Sequence, residues 1–316
     1  MTEERGRGVR RKLPAGTARP AMAGPTSKWS RDRAETMPAS VVLGTLGDAV
    51  RAAVPPWLVP LFRGVTRLGN LGVFLVAFAL DYWFVDRERG AHAIGVVVGG
   101  MALLTALKYA FAAPRPPASV NLVPTGGHSF PSGHAMGATV AYGALAVDLD
   151  AGSPRARYAA AGGLVSLIAL SRVVLGVHFV RDVLAGIAFG VAFLVVAFGV
   201  TGRDPRLAFL LAIAVALLAV AVSGASRDGV GLLGVAVGAA VAWELADDGT
   251  TVERPLWRLA LLGGLLPVLA GLGFVALIAD PPPIAVFALT VALGAGLVAP
   301  PALLDDDGPA GATLTA

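Results

Sequence analysis

Long apolar segments separated by short polar turns follow one another along most of the chain. Each apolar segment is about 20 residues long, which is enough to cross a bilayer. Backbone in hydrocarbon must satisfy its own hydrogen bonds, and no segment shows the alternation of a barrel strand, so each is predicted to be a helix. The pattern predicts an all-α, polytopic transmembrane helical bundle with candidate spans near 69–86, 91–111, 133–149, 157–176, 180–200, 205–223, 229–246, 256–279 and 283–304.

The polar segments divide the chain into five regions. Residues 1–36 are rich in Arg, Gly, Pro and Ser without periodicity, which predicts a disordered basic tail. Residues 37–68 are apolar but interrupted by Asp48, Arg51 and two prolines, which favours interfacial amphipathic helices over a span. The remaining regions are 69–200, which holds the polar clusters described below, 201–304, which is predicted to form additional transmembrane helices of unknown role, and 305–316, a second predicted disordered tail.

Composition agrees with a lipid environment. Of the 316 residues, 56% are hydrophobic and only 15% are charged, and the mean hydropathy is +0.73; soluble domains carry about 25% charged residues. The absence of cysteine excludes disulfides, thiolate metal sites and cysteine nucleophiles. Residues 1–36 contain nine Lys or Arg against four Asp or Glu, so the net charge of +4 comes from this segment and does not indicate nucleic acid binding.

Three polar clusters interrupt the apolar pattern in the middle of the chain. They are Lys108-x6-Arg115-Pro116, Pro131-Ser132-Gly133-His134, and Ser171-Arg172-x5-His178-x3-Asp182. Successive spans alternate in direction, so the end of the second span, the start of the third, the end of the fourth and the start of the fifth lie on one side of the membrane. The alternation therefore predicts that all three clusters meet.

The residue types in these clusters predict a phosphate site. Lys108, Arg115 and Arg172 supply positive charge, and Ser132 and Gly133 stand where a helix is predicted to begin. A helix N-terminus binds anions because its first N–H groups are free, and ionisable residues at membrane depth are costly enough to indicate a function.

Two histidines add reactive groups to this site. On a helix, His178 and Asp182 share one face, so the carboxylate can fix one ring nitrogen and present the other as a nucleophile. His134 lies on another helix and is a candidate to protonate a leaving oxygen.

Together, the three clusters resemble the signature motifs of the type 2 phosphatidic acid phosphatase (PAP2) superfamily, in order and with no departure at a motif position. The resemblance covers about 70–200 and implies a PAP2-like, haloperoxidase-like catalytic core at 69–200. It also implies that His178 is the phosphoryl-accepting nucleophile, that Asp182 orients it and that His134 is the acid. The residues implied to hold the phosphate, with no metal and no cofactor, are Lys108, Arg115, Ser132, Gly133 and Arg172.

The distribution of arginine predicts the orientation in the cell membrane. Loops on the face opposite the clusters carry Arg87, Arg89, Arg155, Arg157 and further arginines, so the positive-inside rule places the clusters on the extracytoplasmic face. Counting spans also places the basic residues 1–36 outside. Three explanations remain open: long tails escape the rule, Met37 is the true start, or 40–65 crosses the membrane.

These observations predict a membrane lipid phosphate or diphosphate phosphatase. By analogy, the substrate candidates are polyprenyl diphosphate, phosphatidate and phosphatidylglycerol phosphate, among which the sequence does not choose. Two alternatives stay open: a lipid phosphotransferase that uses the same site, and a transporter or scaffold whose function survives loss of His178.

Overall fold

Helices form every regular element in the described residues of the computed structural model, which are 39–149, 152–245, 255–279 and 281–300. The predicted terminal segments 1–36 and 305–316 lie outside these residues. The helices are α1 (Ala39–Ala53), α2 (Val59–Val65), α3 (Leu71–Phe84), α4 (Arg87–Phe111), α5 (Gly133–Asp148), α6 (Pro154–Val174), α7 (Val180–Thr201), α8 (Pro205–Ser223), α9 (Arg227–Leu245), α10 (Pro255–Ala260), α11 (Leu266–Ile278) and α12 (Pro283–Val298). Short 3₁₀ turns cover Pro56–Leu58, Thr66–Gly69 and Ala118–Val120, and Leu261–Leu265 forms a π-helical turn.

Each of the nine apolar segments contains a helix, but the helices differ in their capacity to cross a membrane. Six stretches of the described chain are long and apolar enough: α4, α6, α7, α8, α9 and the stretch Leu256–Ala276. A seventh span results if the stretch Pro56–Gly69 and α3, which meet at 54°, are counted as one. Helix α5 has 16 residues and α12 also has 16. Because α5 is mostly buried by other helices, it does not need an apolar surface.

The polar turns between the segments fix where the helices begin. The side chains of Asp86, Ser153 and Asp204 accept hydrogen bonds from backbone N–H groups in the first turns of α4, α6 and α8. Proline follows at the first position of α6 and α8, where no N–H partner is needed. These caps explain why α4 begins at Arg87, four residues before the predicted span.

Helix α4 lies at the centre of the bundle and packs against α3, α5, α8 and α9. In its most apolar window 83% of the residues are buried, compared with 28% for α7 and for α8. Small residues allow a close approach to α8: a Cβ on Gly95 would lie 2.9 Å from the backbone carbon of Ala208. The helix that carries Lys108 is therefore enclosed by protein and not by lipid.

The C-terminal helices are joined to this bundle. Helix α12 packs tightly on α9, and a Cβ on Gly238 would lie 2.0 Å from the carbonyl oxygen of Val291. At the end of α12, Tyr82 and Trp83 donate hydrogen bonds of 2.7 and 2.8 Å to the carbonyls of Val298 and Leu297. Both aromatic side chains are fully buried, and the polar tip of each finds a partner on α12.

Candidate active site

The three polar clusters meet at one end of the bundle. Lys108 lies in the last turn of α4, Arg172 lies in the last turn of α6, and Ser132 is the N-cap residue of α5. The N–H of Ser132 donates a hydrogen bond of 2.9 Å to the carbonyl of Asp182, which joins the second cluster to the third through backbone. Helix reversal thus brings the sequence-predicted residues together.

Residues 112–132 form a loop held against the turn between α6 and α7. Arg115 fixes one part of it, because its Nε donates to the carbonyls of Gly126 and Gly127 at 2.9 and 3.1 Å. Its NH1 donates to the carbonyl of Val177 at 2.9 Å. Gly176 allows the close approach: it has a φ of +73°, and a Cβ there would lie 2.0 Å from the carbonyl oxygen of Val120. Only glycine fits this contact.

His178 lies in the same turn, and its ring is 1% exposed. The expectation that His178 and Asp182 both lie on the helix is wrong for His178, because α7 begins at Val180. The Asp182 carboxylate accepts from the N–H of Phe179 at 3.0 Å, which satisfies a free donor at the helix start. Its Oδ2 still lies 3.4 Å from Nδ1 of His178, so the pair forms without a shared helix face.

The neighbours of His178 determine which ring nitrogen carries the proton. Its Nε2 lies 3.4 Å from NH1 of Arg115, and a guanidinium can only donate. Its Nδ1 faces the Asp182 carboxylate. Nδ1 therefore carries the hydrogen and Nε2 presents a lone pair. Burial lowers the pKa of His178 to about 4, more than the hydrogen bond to Asp182 raises it, so the ring is neutral at pH 7.

Ser129 is a buried contact of this pair that the sequence analysis did not identify. Its Oγ lies 2.5 Å from Oδ2 of Asp182 and 3.3 Å from Nδ1 of His178. Nothing in the motif spacing distinguishes Ser129 from the other polar residues of the loop, because its role depends on how the loop folds back on α7.

Two buried polar atoms beside the pair have no hydrogen bond partner among the described residues. They are Oγ of Ser132 and Nε of Arg172. Lys108 is close to the same helix start, because a Cβ on Gly133 would lie 3.9 Å from its Nζ. Buried polar groups are nearly always paired, so unpaired donors at a helix N-terminus are suited to an anionic ligand.

His134 lies in the first turn of α5, within electrostatic range of Lys108, Arg115, Arg172 and His178. Its ring packs against the turn that precedes α3: a Cβ on Gly69 would lie 3.0 Å from its Cδ2. The second imidazole thus shares the charged pocket with the first.

The turn that precedes α3 also positions a cation. Oγ1 of Thr66 accepts a hydrogen bond of 2.6 Å from NH1 of Arg172. This turn lies in the region predicted to form interfacial helices, and the contact is not predictable from the sequence because the two residues are 106 positions apart.

Two further residues near the clusters have defined positions. His128 offers its carbonyl to Nζ of Lys108 at 3.2 Å, and its ring lies edge-on to Tyr109. The Nε of Arg181 lies 3.6 Å from Oδ1 of Asp182. Among the described residues, no group of three His, Cys, Asp or Glu is placed to hold a metal ion.

Another group of buried polar residues lies at the opposite end of the same helices, away from the candidate active site. His92 of α4 is 1% exposed, its Nε2 lies 2.9 Å from Oγ1 of Thr201, and its Nδ1 lies 3.7 Å from Oδ2 of Asp148. Arg203 donates to the other carboxylate oxygen of Asp148 at 2.7 Å. A cavity of about 310 Å³ adjoins these residues. His92 is therefore buried and hydrogen-bonded inside the protein.

The residues of the candidate active site can bind a tetrahedral anion, and His178 can attack it. Cations and unpaired donors lie beside a neutral, buried imidazole whose Nε2 faces Arg115 with its lone pair. Such a site stabilises the negative charge on a transferring phosphoryl group. The fold and the site together define a membrane-embedded enzyme of phosphoryl chemistry.

Comparison with known proteins agrees with this class. The family model of the PAP2 superfamily matches residues 89–206. Phosphatidylglycerophosphatase B of Bacillus subtilis (strain 168) is 32% identical over 161 residues, which are 48% of this chain and 78% of that protein. The chain belongs to the PAP2 superfamily and is a membrane phosphatase of the PAP2 type.

Two solved structures are also similar. The transmembrane PAP2-type phosphatidylglycerolphosphate phosphatase from Bacillus subtilis is 28% identical, with a TM-score of 0.48; the match covers 54% of this chain and 90% of that chain. LpxE of Aquifex aeolicus is 23% identical, with a TM-score of 0.43; the match covers 49% of this chain and 93% of that one. The family match ends at residue 206, so nearly all of α8 and all of α9 to α12 lie beyond it.

Proposed function

We propose that this chain hydrolyses a lipid phosphate or diphosphate through a phosphohistidine on His178, with no metal ion. The observation that carries the proposal is the environment of that ring: Nδ1 faces Asp182, and Nε2 faces Arg115 with its lone pair available. The neutral state of His178 at pH 7 supports a nucleophilic role.

In the proposed first step, Nε2 of His178 attacks phosphorus and the bond to the leaving oxygen breaks. Lys108, Arg115 and Arg172 balance the charge on the phosphoryl oxygens, while Ser132 Oγ and the N–H groups of Gly133 and His134 donate hydrogen bonds. His134 gives a proton to the leaving oxygen. Asp182 stabilises the positive charge that the phosphorylated ring acquires.

In the proposed second step, water attacks phosphorus and the bond to Nε2 breaks. His134, now lacking its proton, accepts one from the attacking water. Inorganic phosphate leaves and both imidazoles return to their starting states, so protons and charge balance over the cycle.

The lipid nature of the substrate is supported by where the site lies. It occupies the end of a bundle of membrane helices, so a lipid headgroup reaches it without leaving the membrane. The Bacillus subtilis relative is a phosphatidylglycerophosphatase by name, which makes phosphatidylglycerol phosphate the first substrate to test. Phosphatidate and polyprenyl diphosphate complete the panel.

The central experiment is phosphate release by purified protein from these three lipids, with and without EDTA. We expect activity that EDTA does not reduce, and acid-labile ³²P on the protein that His178→Ala abolishes. Turnover that persists in His178→Ala would refute the phosphohistidine, and loss of activity with chelator would refute the metal-free route. Release only when an acceptor alcohol is added would indicate a phosphotransferase.

We place the site on the extracytoplasmic face of the cell membrane, from the arginines on the opposite loops. Because the chain has no cysteine, a single introduced cysteine reports the side of the membrane. In intact cells an impermeant maleimide is expected to label Ala118→Cys and not Ala156→Cys, both of which are exposed positions. The reverse pattern would place the site in the cytoplasm.

A further inference from the structure

The hydroxyl of Ser129 lies between the two members of the catalytic pair. The three atoms Oγ of Ser129, Oδ2 of Asp182 and Nδ1 of His178 form a closed triangle with sides of 2.5, 3.3 and 3.4 Å. All three residues are buried, with exposures of 0%, 0% and 1%. Solvent therefore does not compete for these contacts.

Proton positions in the triangle follow from its geometry. A hydroxyl has one proton, and the shortest contact of Ser129 is to the carboxylate, so that proton is donated to Asp182. The lone pairs of Oγ then face Nδ1 of His178. Both atoms that face Nδ1 are acceptors, which favours the tautomer with hydrogen on Nδ1.

The backbone fixes the position of this hydroxyl. The N–H of Ser129 donates to the carbonyl of Ala113 at 2.9 Å, and the preceding carbonyl, of His128, accepts from Lys108. The hydroxyl therefore reaches the pair from a loop that is itself anchored to the end of α4.

We infer that Ser129 is a positioning residue that holds His178 in its reactive tautomer and orientation by binding the carboxylate and the ring edge together. The inference rests on the proposed function. While Nε2 forms its bond to phosphorus and the leaving oxygen departs, Ser129 neither gains nor loses a proton. It keeps Asp182 aligned with the Nδ1–H that carries the new positive charge.

The test is steady-state kinetics of Ser129→Ala on phosphatidylglycerol phosphate. Hydrogen bonds to charged groups contribute about 1.5–3 kcal/mol, which corresponds to roughly 10- to 100-fold. We expect kcat to fall by about that factor while KM changes less than about 3-fold, because Ser129 does not face the unpaired donors that bind phosphate.

A pH profile separates positioning from a structural role. The charged groups that act on His178 are Asp182, Arg115, Arg172 and Lys108. Without the Ser129 donor, the Asp182 carboxylate attracts the protonated ring more strongly. The acidic limb of kcat/KM is therefore expected to move to higher pH in Ser129→Ala than in the wild type, and Ser129→Thr, which keeps a hydroxyl, is expected to restore it.

Thr105→Val is the matched control. Thr105 is a buried hydroxyl residue one turn before Lys108, but its Oγ1 donates only to the carbonyl of Met101 in its own helix, at 3.1 Å. We expect this variant to keep the wild-type kcat and pH profile. A loss equal to that of Ser129→Ala would overturn the inference.

Two further outcomes are decisive. A wild-type kcat and an unchanged acidic limb of kcat/KM in Ser129→Ala would contradict the positioning role. If His178→Ala is inactive in the same assay, the proposed function still stands. If Ser129→Ala does not fold, Ser129→Cys replaces it, because a thiol is a weaker donor. A Cys variant with the wild-type limb would equally overturn the inference.

Discussion

The bundle contains two buried His–Asp pairs at opposite ends of the same helices, and they differ in what is left unpaired. At the active-site end, Nε2 of His178 presents a lone pair toward Arg115, and donors on Ser132 and Arg172 have no partner among the described residues. At the other end, Nε2 of His92 is hydrogen-bonded to Thr201, while Nδ1 of His92 and Oδ2 of Asp148 lie 3.7 Å apart and have no hydrogen bond partner among the described residues.

The second pair joins helices, and the neighbouring cations Arg89 and Arg203 are paired with the carboxylates of Asp81 and Asp148. His92 belongs to α4, Asp148 to α5 and Thr201 to α7, which are the helices that carry Lys108, His134 and Asp182 at their other ends. The comparison teaches that a His–Asp pair by itself does not identify an active site. The unpaired hydroxyl of Ser132 at the start of α5 and the unpaired Nε of Arg172 beside the first pair do.

The largest contrast is expected between Asp182→Asn and Asp148→Asn. Asp182→Asn removes the charge that stabilises the phosphorylated ring, so kcat is expected to fall by roughly 10²–10⁴-fold. Asp148→Asn is expected to change kcat less than about 3-fold and to lower stability by about 1 kcal/mol, because it weakens an ion pair to an exposed Arg203. Phosphate release and thermal unfolding in detergent measure the two effects. Equal losses of kcat in Asp182→Asn and Asp148→Asn would contradict the distinction between the two His–Asp pairs.

A second contrast concerns the arginines. Arg172→Met removes a cation whose Nε has no partner among the described residues, and a loss of about 10²–10³-fold in kcat/KM is expected, comparable to the loss of one oxyanion donor. Arg203→Met removes a cation paired with Asp148, and kcat/KM is expected to stay within about 3-fold. Both variants are measured at several salt concentrations. If the effect of Arg172→Met is local, the loss in kcat/KM does not depend on salt, because only surface charge is strongly screened.

A smaller effect is expected from Ser132→Ala. The variant removes one hydroxyl donor to the phosphoryl group and is expected to lower kcat/KM by roughly 10- to 100-fold. The backbone bond from Ser132 N–H to Asp182 remains, so the thermal unfolding temperature is expected to be unchanged. A large drop in that temperature would assign the hydroxyl to the fold.

The smallest expected effect is that of mild acid on the wild-type enzyme. His178 must be neutral to attack, and burial lowers its pKa to about 4. The neutral fraction therefore stays high as pH falls through 6.5, the ordinary value, and decreases only near pH 4. After division by the ionisation of the substrate, about pKa 6 for a monoester, kcat/KM is expected not to decrease from pH 7 to pH 5. A decrease centred near 6.5 would contradict the buried environment of the ring.

Much of this arrangement could be predicted from sequence because it depends on the order of segments. Alternating spans place Lys108, Ser132 and Arg172 at one end of the bundle regardless of how the helices pack. Caps at Asp86, Ser153 and Asp204 set the helix starts, and they are local signals that the sequence displays.

The contacts that the sequence analysis missed depend on distant backbone. Ser129 reaches Asp182 only because the loop folds back on α7, and Thr66 meets Arg172 across 106 positions. The partners of His92, Asp148 and Thr201, are likewise distant from it in sequence. Spacing rules describe one helix at a time, so they cannot predict pairs that arise between helices.

The close approach of α4 and α8 limits where the chain can be cut if the phosphatase region is to be moved to another protein. Gly95 of α4 admits the backbone of α8 at Ala208, two residues past the end of the family match at 206. A protein cut at that boundary would leave the groove along α4 to be filled by lipid chains, which conform poorly to a surface shaped for another helix. Engineers who graft the phosphatase onto another membrane scaffold should therefore carry α8 with it.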